Sequence, residues 1–167
     1  MMEVIQRAID KIRDESSYSK DKSDQFGEVF TPFELIDEML DRLPSDVWSD
    51  KSKTFFDPCA GKGNFPIKLV ERLFRGLAEE IPDERERLKH IVENQIFMAE
   101  FQTPSVSFIR ELFQFGEGFR VNIYHGDTLA MPEDYFDLSW TKREKILKDN
   151  PNGYEAPKPT NLFDIFS

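Results

Sequence analysis

Residues 54–65 read TFFDPCAGKGNF, and this stretch decides the fold class of the chain. An apolar run stops at Asp57, a turn of small residues containing Gly61 and Gly63 follows, and apolar residues then return at helical spacing over 67–74. That order predicts a strand, a tight loop and a helix. The two glycines allow positive φ angles and let the backbone come close to a ligand. Loops of this kind bind nucleotide-like cofactors at the carboxyl end of a parallel strand.

The spacing within the loop distinguishes between cofactors. The third glycine of the dinucleotide fingerprint G-x-G-x-x-G is missing, and the phosphate-loop pattern G-x-x-x-x-G-K-[ST] is absent. The pattern D-P-x-x-G-x-G-x-F instead resembles motif I of the amino-methylating DNA methyltransferases, which bind S-adenosylmethionine. The resemblance implies a cofactor-binding loop formed by Asp57, Pro58, Cys59, Gly61, Gly63, Asn64 and Phe65. An ordinary strand-to-helix turn is the alternative interpretation.

The composition indicates a globular chain with a single main domain. Its 167 residues are 39% hydrophobic and 32% charged, which suits one domain with a real core. No apolar run approaches the roughly 20 residues that span a bilayer, and the N-terminus does not resemble a secretion signal. One cysteine excludes an intramolecular disulfide, and two histidines give no metal cluster. We therefore expect an intracellular protein with no membrane partner and no metal. The family resemblance implies, more narrowly, the cytoplasm of a bacterial or phage-infected cell.

The net charge of −10 bears on the partners of the chain. It argues against broad nonspecific binding of nucleic acid, because contacts to phosphates need clustered Lys and Arg. It does not exclude a local basic patch. It fits equally a protein whose main partner is another protein.

The segment before the glycine loop carries a second motif. Residues 26–32 read FGEVFTP, in which Thr31 is a good N-cap, Pro32 suits the first helical position and Glu34 completes a capping box. The pattern G-x-[FVY]-[FY]-T-P also resembles motif X of the same methyltransferases, which closes over the methionine end of the cofactor. The resemblance implies cofactor contacts from Phe30, Thr31 and Pro32. Motif X lies just upstream of motif I here, as in the gamma-type order of the family.

Two acids that follow later strands are further candidates for contacts to the cofactor. Residues 96–100 read IFMAE, a buried strand that ends in Glu100, and the family resemblance implies that this acid accepts hydrogen bonds from the ribose hydroxyls. The sequence GDTL at 126–129 resembles motif III, whose acid, here Asp127, binds the adenine amino group. Phe101 and Thr128 are neighbouring candidates. The alternatives are an exposed strand-terminal glutamate and a generic Gly-Asp turn.

The resemblance stops after a fourth strand, predicted over 135–140. In amino-methylating enzymes this strand is followed by [DNS]-P-P-[YFW], which holds the target amino group and stacks on the flipped base. The sequence DNPNGY at 149–154 is only faintly similar to this pattern, so Asn150, Pro151 and Tyr154 are weak catalytic candidates. The alternative interpretation of these six residues is an ordinary turn.

The C-terminal residues combine a linker with an apolar end. Residues 150–161 are rich in Pro, Asn and Gly, which is typical of a linker. The four large apolar residues that follow are Leu162, Phe163, Ile165 and Phe166. They could dock on the core of this chain, or bind a partner pocket, since the pattern resembles peptides that bind DNA sliding clamps.

Together these patterns predict an α/β protein with a Rossmann-like S-adenosylmethionine-methyltransferase fold, truncated after about four parallel strands. The division is an N-terminal helix over 2–15 with a connector up to 25, a methyltransferase-like domain over 26–140, and a linker with an apolar tail over 141–167. The fourth strand would lie at an edge, which 141–167 or a second chain would cover, so a homo-oligomer or a second methyltransferase subunit is expected.

Two functions from different classes follow. The first is a DNA adenine N6-methyltransferase-like protein that binds S-adenosylmethionine, is incomplete as a catalyst on its own and acts on DNA directly or through a partner. The second is a non-catalytic adaptor, built on a methyltransferase remnant, that binds the replication or transcription machinery. Methylation of a small molecule or a protein is a weaker third interpretation.

Overall fold

The computed structural model describes residues 1–18 and 31–149, with the side chains of 1–15 and 31–146. Six helices and three strands alternate along the described chain. Their bounds are α1 Met2–Tyr18, α2 Phe33–Leu40, β1 Phe55–Asp57, α3 Asn64–Gly76, α4 Glu84–His90, β2 Ile96–Glu100, α5 Thr103–Phe113, β3 Asn122–His125 and α6 Trp140–Asp149. Short 3-10 turns lie at Ser45–Trp48, Thr128–Ala130 and Tyr135–Asp137, and a π turn spans Ile91–Gln95.

The three strands form a parallel sheet in the order β1-β2-β3. Phe55 lies opposite Ile96, and Met98 lies opposite Ile123, so β2 is the central strand. Helices connect both pairs of strands, as parallel pairing requires. The predicted α/β class is therefore confirmed. The strands expected before the glycine loop, over 96–100 and ahead of the GDTL sequence are present as β1, β2 and β3.

The fourth strand predicted over 135–140 is wrong. Tyr135 and Asp137 lie in a 3-10 turn, and α6 begins at Trp140. The backbone N–H of Tyr135 donates to the carbonyl of Pro132 at 3.0 Å, and that of Leu138 to the carbonyl of Asp134 at 3.2 Å. These groups are satisfied locally, so they are not available to a sheet ladder.

The main core lies on one face of the sheet, around α3. This helix contacts α1, α2, β1 and β2. Its buried apolar side chains are Ile67, Leu69, Val70, Leu73 and Phe74, and α1 adds Ile5, Ala8, Ile9 and Ile12. The helix predicted over 2–15 is thus confirmed as an amphipathic helix, and it continues to Tyr18.

The other face of the sheet is covered by the segment between β3 and α6. Tyr135 is buried and packs edge-on against Tyr124, with ring centroids 4.8 Å apart. Phe136 packs in the same way against Phe97 at 5.1 Å and Phe56 at 5.9 Å. Phe56 stays 46% exposed, because the cover is thin over β1.

Among the described residues β1 pairs only with β2, so its second edge is open. The fourth strand expected at an edge is absent from the described residues, and β1 and β3 are the two edge strands of the sheet. A groove of about 470 Å³ runs along β1 and is lined largely by apolar side chains: Leu40, Leu43, Phe55, Phe56, Phe65 and Leu69. None of the described helices combines the length and the apolarity needed to cross a bilayer.

The start of α2 differs from the predicted capping box. Pro32 occupies the N-cap position and has no side-chain acceptor to offer, so the helix begins one residue later than expected, at Phe33. The carbonyl of Thr31 instead accepts a hydrogen bond from Asn64 Nδ2 at 3.2 Å. This contact joins the start of α2 to the start of α3 and places Thr31 beside the glycine loop.

Candidate cofactor site

The loop between β1 and α3 is held against the end of β2 by two hydrogen bonds. The N–H of Ala60 donates to the carbonyl of Ala99 at 3.0 Å, and the N–H of Gly61 donates to Glu100 Oε2 at 2.8 Å. The motif I loop and the acid after β2 therefore form one unit, although 39 residues separate Gly61 from Glu100.

Both glycines of the loop have positive φ angles. Gly61 has φ of 54° and Gly63 has φ of 90°, a region that other residues adopt only at a cost. A Cβ atom on Gly63 would also lie 2.9 Å from the ring of Phe113. The carbonyl of Gly63 accepts the first helical hydrogen bond of α3 from Ile67, at 3.0 Å. Glycine is thus required at 63 by conformation and by space, and at 61 by conformation alone.

A cavity of about 370 Å³ opens at the carboxyl ends of β1 and β2. Its volume lies in the range of small-molecule sites, about 300–1,000 Å³. The lining comes from the start of α2, the glycine loop and the end of β2: Thr31, Asp57, Cys59, Ala60, Gly61, Lys62, Asn64, Phe65, Glu100 and Gln102.

Asp57 contributes a carboxylate that has no cationic partner among the described residues. Its Oδ1 accepts the N–H of Cys59 at 3.0 Å, which fixes the turn at the end of β1. Burial raises the pKa of Asp57 above its ordinary value, and the Cys59 hydrogen bond only partly opposes this. A positively charged ligand group in the cavity would offset the cost of this partly buried charge.

Glu100 is 7% exposed, and both of its carboxylate oxygens accept backbone hydrogen bonds. Oε2 accepts from Gly61, and Oε1 accepts from the N–H of Gln102 at 2.7 Å. Each oxygen has a second lone pair, so the carboxylate can still accept from a ligand hydroxyl. Its two backbone bonds fix its orientation in advance.

Two further side chains mark the wall of the cavity. Asn64 Oδ1 is buried and has no hydrogen-bond partner within the described parts of the chain, while its Nδ2 donates to Thr31. A buried acceptor of this kind is rare unless a ligand or water satisfies it. Lys62 supplies the cation of the lining, and its Nζ lies 3.9 Å from Glu15 and 5.5 Å from the ring centroid of Phe108.

The structure brings together seven of the predicted cofactor residues, namely Thr31, Asp57, Cys59, Gly61, Asn64, Phe65 and Glu100. Three others lie beside the cavity or support its walls: Pro32, Pro58 and Gly63. Phe101 follows β2 and is 51% exposed. Phe30, the catalytic candidates Asn150, Pro151 and Tyr154, and the tail residues Leu162, Phe163, Ile165 and Phe166 lie outside the described residues.

Asp127 and Thr128 do not line this cavity. Asp127 Oδ1 accepts the N–H of Leu129 at 3.0 Å and so caps the short 3-10 turn. Thr128 Oγ1 donates to the carbonyl of Pro58 at 2.5 Å. The turn after β3 is therefore fastened to the loop after β1, which brings motif III next to motif I without placing its acid in the cavity.

Sequence reasoning missed three lining residues. Ala60 and Lys62 occupy variable positions of the loop pattern, and Gln102 follows Glu100 by two positions. Their positions next to motif residues were the sequence feature that could have predicted their place in the lining. No group of three His, Cys, Asp or Glu side chains in the described chain could hold a metal ion.

Two relatives match part of the chain. A Mycoplasma pneumoniae protein named as an uncharacterized adenine-specific methylase is 44% identical over 73 residues, which are 42% of this chain and 17% of the relative. The type II methyltransferase M.VspI of Vibrio sp. (strain 343) is 39% identical over 61 residues, which are 36% of this chain and 14% of the relative. No family model matches.

The chain thus spans less than a fifth of the length of either relative. The identity over the matched part is nevertheless high, and both relatives are named as methylases or methyltransferases. The partial matches, together with the α/β fold, support a relation to the DNA adenine methyltransferases and a methyltransferase-like function.

Proposed function

We propose that the cavity at the ends of β1 and β2 binds S-adenosylmethionine. The observation that carries this proposal is the Asp57 carboxylate, which lines the cavity at the end of β1 without a cationic partner among the described residues. S-adenosylmethionine carries a positively charged sulfonium and a positively charged amino group. A carboxylate without a cationic partner suits these charges, and the adjacent glycine loop lets the cofactor come close to the backbone.

The other groups of the cavity fit the remaining parts of the cofactor. Glu100 has lone pairs free for the ribose hydroxyls, and Lys62 offers a cation to the methionine carboxylate. Asn64 Oδ1 offers an unused acceptor. Thr31 lies at the side where motif X would cover the methionine part. Asp127 lies outside the cavity lining, so its proposed contact with the adenine amino group requires the adenine to extend past the cavity toward the turn after β3.

We further propose that the methyl acceptor is the amino group of adenine in DNA. When bound, the cofactor supplies an activated methyl group; the residues of this chain hold and orient it and exclude water. The family pattern [DNS]-P-P-[YFW], which would hold the flipped base, does not occur in the 167 residues. We therefore expect methyl transfer to need residues outside these 167, such as those of a partner chain, or an unusual loop that contains Asn150 and Pro151.

Calorimetric titration with S-adenosylmethionine tests the cofactor proposal. Asp57→Asn keeps an acceptor for the Cys59 N–H but removes the charge, so we expect binding to weaken by at least about tenfold. Asp46→Asn is the matched control, since Asp46 is exposed and remote from the cavity lining, and it should bind as the wild type does. Equal affinity in wild type and Asp57→Asn would reject the proposed role of this carboxylate.

The adaptor function remains a second proposal, favoured by the apolar tail Leu162–Phe166 and the net charge of −10. It predicts that a sliding clamp binds the full chain and that deletion of 161–167 abolishes this binding without affecting cofactor affinity. Clamp binding that survives the deletion would eliminate the tail as the contact.

A further inference from the structure

A second cavity, which we call the arginine cavity, lies beside the amino end of β3. Its volume is about 320 Å³, close to that of the cofactor cavity. It is enclosed by the end of α5, the turn before β3 and the first turn of α6. Its polar and aromatic lining includes Arg110, Gln114, Arg120, Tyr135, Trp140 and Arg143. No motif of the proposed methyltransferase function uses these residues.

The positive charge of this region stands out against the rest of the acidic chain. Most other described Lys and Arg side chains lie within ion-pair distance of a carboxylate: Lys11, Arg13, Lys51, Lys53, Lys62, Lys68, Arg72, Arg75, Arg85 and Lys89. Around the arginine cavity, by contrast, no described ion pair neutralises Arg110, Arg120, Arg143 or their α6 neighbours Lys142 and Lys145. The net charge of −10 did not exclude a local basic patch, and the described residues place one here, in a concave site.

Arg110 is the most informative member of the cluster. It is partly buried on α5, and the described residues give its guanidinium neither a hydrogen bond nor an ion pair. Burial lowers the pKa of Arg110, and the nearby Tyr135 only partly opposes this. A partly desolvated guanidinium that keeps all five of its donors unused is a receptor for an anion.

The other two arginines shape the cavity around Arg110. Arg143 is 8% exposed, and its guanidinium donates to Asn122 Oδ1 at 2.8 Å and to the carbonyl of Leu138 at 2.9 Å, so its position is fixed. It lies 4.5 Å from the ring centroid of Trp140, and the exposed Arg120 lies 5.7 Å from the same centroid. The guanidinium groups of Arg120 and Arg143 thus both lie over the ring of Trp140, which lines the cavity.

The balance of charges in the lining favours a phosphate over a singly charged anion. Three arginines and one carboxylate, that of Glu144 on α6, line the cavity, while Glu93 lies near Arg120 and Asp137 near Arg143 outside the lining. A carboxylate ligand would neutralise only part of this excess, whereas a phosphate ester carries more charge and several acceptor oxygens. Guanidinium forks match the geometry of phosphate oxygens.

We propose that the arginine cavity binds the phosphate group of a nucleotide, either free or within a nucleic-acid strand. Arg110 and Arg120 contact the phosphate, and Arg143 fixes the wall behind them. This site is separate from the cofactor cavity and does not depend on it, because it lies at the amino end of β3 rather than at the carboxyl ends of β1 and β2.

Binding measurements on the full chain with three probes test the proposal: inorganic phosphate, AMP and a fluorescein-labelled single-stranded DNA. We expect AMP, the DNA or both to bind at low salt. The Arg110→Gln/Arg120→Gln double variant should lose about tenfold or more in affinity. Loss for the DNA alone identifies a strand as the source of the phosphate, and loss for AMP alone identifies a free nucleotide.

A charge-matched control separates a site from bulk electrostatics. Arg7→Gln/Arg42→Gln also removes two arginines without a described ion pair, neither of which lines the cavity, and it should bind within about twofold of the wild type. If the double variant fails to fold, the exposed Arg120→Gln change alone serves, with Arg42→Gln beside it. Absence of binding to every probe, or equal loss in the control, overturns the proposal.

Discussion

The cofactor cavity and the arginine cavity have similar volumes and opposite charge. The first presents the carboxylates of Asp57 and Glu100 at the ends of β1 and β2, and the second presents the guanidinium groups of Arg110, Arg120 and Arg143. Most of the lining of the first comes from one stretch, residues 57–65, which Thr31, Glu100 and Gln102 complete, whereas the second is formed by side chains from α5, the turn before β3 and α6. We therefore propose that a single small sheet carries a site for a positively charged ligand at one end and a site for an anion at the other.

The difference also lies in what holds each site in place. The acids of the cofactor cavity are oriented by backbone N–H groups, from Cys59 to Asp57 and from Gly61 and Gln102 to Glu100. In the arginine cavity it is the side chain of Arg143 that binds backbone carbonyls. Changes of backbone conformation should therefore damage the first site, and side-chain truncation the second.

The largest effect on stability is expected for Arg143→Leu. The buried guanidinium donates to Asn122 Oδ1 and to the carbonyls of Phe136 and Leu138, so its removal leaves buried acceptors without partners. We expect a loss of about 3 kcal/mol in the free energy of unfolding, measured by urea titration. The exposed Lys145→Leu on the same helix should change it by less than about 0.5 kcal/mol. Similar losses in both variants would contradict the assigned role of Arg143.

The next effect is expected for Gly63→Ala, in comparison with Gly61→Ala. Both changes place a side chain at positive φ, but only the Cβ at 63 also meets the ring of Phe113, at 2.9 Å. We expect losses of about 2 kcal/mol for Gly63→Ala and about 1 kcal/mol for Gly61→Ala. Thermal unfolding would measure both; a reversed order would show that the contact with Phe113 is not a constraint.

A smaller loss is expected for Thr128→Val. Its hydroxyl donates to the carbonyl of Pro58 and joins the turn after β3 to the loop after β1. Removal of this bond should cost about 1 kcal/mol and weaken cofactor binding slightly, while Thr128→Ser keeps the hydroxyl and should cost less. Calorimetry and urea titration on both variants test this. If Thr128→Val is as stable as Thr128→Ser, the hydrogen bond from Thr128 to Pro58 does not stabilise the fold.

The smallest effect is a dependence on pH that arises from Asp57. Its pKa is raised in the folded state, so the folded chain holds the proton more tightly than the unfolded chain does. The resulting stabilisation is complete below the ordinary Asp value near 3.8 and is lost as the pH rises through the folded pKa. Asp57→Asn lacks this titration, so its stability relative to wild type should increase with pH across that window. Unfolding curves at several pH values between 3.8 and 7 give the difference; a decrease with pH would reverse the sign of the argument.

The cofactor cavity was largely predictable because its determinants are local. The order of apolar run, Asp57, glycine turn and helical spacing predicts β1, the loop and α3 directly from residues 54–74. Glu100 follows from the same reasoning, since parallel strands bring their carboxyl ends to one edge of a sheet. The hydrogen bond from Gly61 to Glu100 is the contact that this geometry implies.

The region after β3 was not predictable in the same way. Aromatic residues at 135, 136 and 140 suit a strand, but local hydrogen bonds to Pro132 and Asp134 form a 3-10 turn there. The arginine cavity has no sequence signature, because Arg110 and Arg143 become neighbours only when α5 and α6 pack beside β3. Its presence in a chain of net charge −10 is a consequence of the fold.

The most direct test of the central claim is nuclear magnetic resonance mapping of both ligands on one labelled sample. S-adenosylmethionine should shift the backbone amide signals of Ala60, Gly61 and Gln102 and leave those of Arg120 and Val121 unchanged. AMP or single-stranded DNA should do the reverse. Cofactor-induced shifts that are absent from the glycine loop, or that appear mainly around β3, would contradict the assignment of the cofactor to the carboxyl ends of β1 and β2.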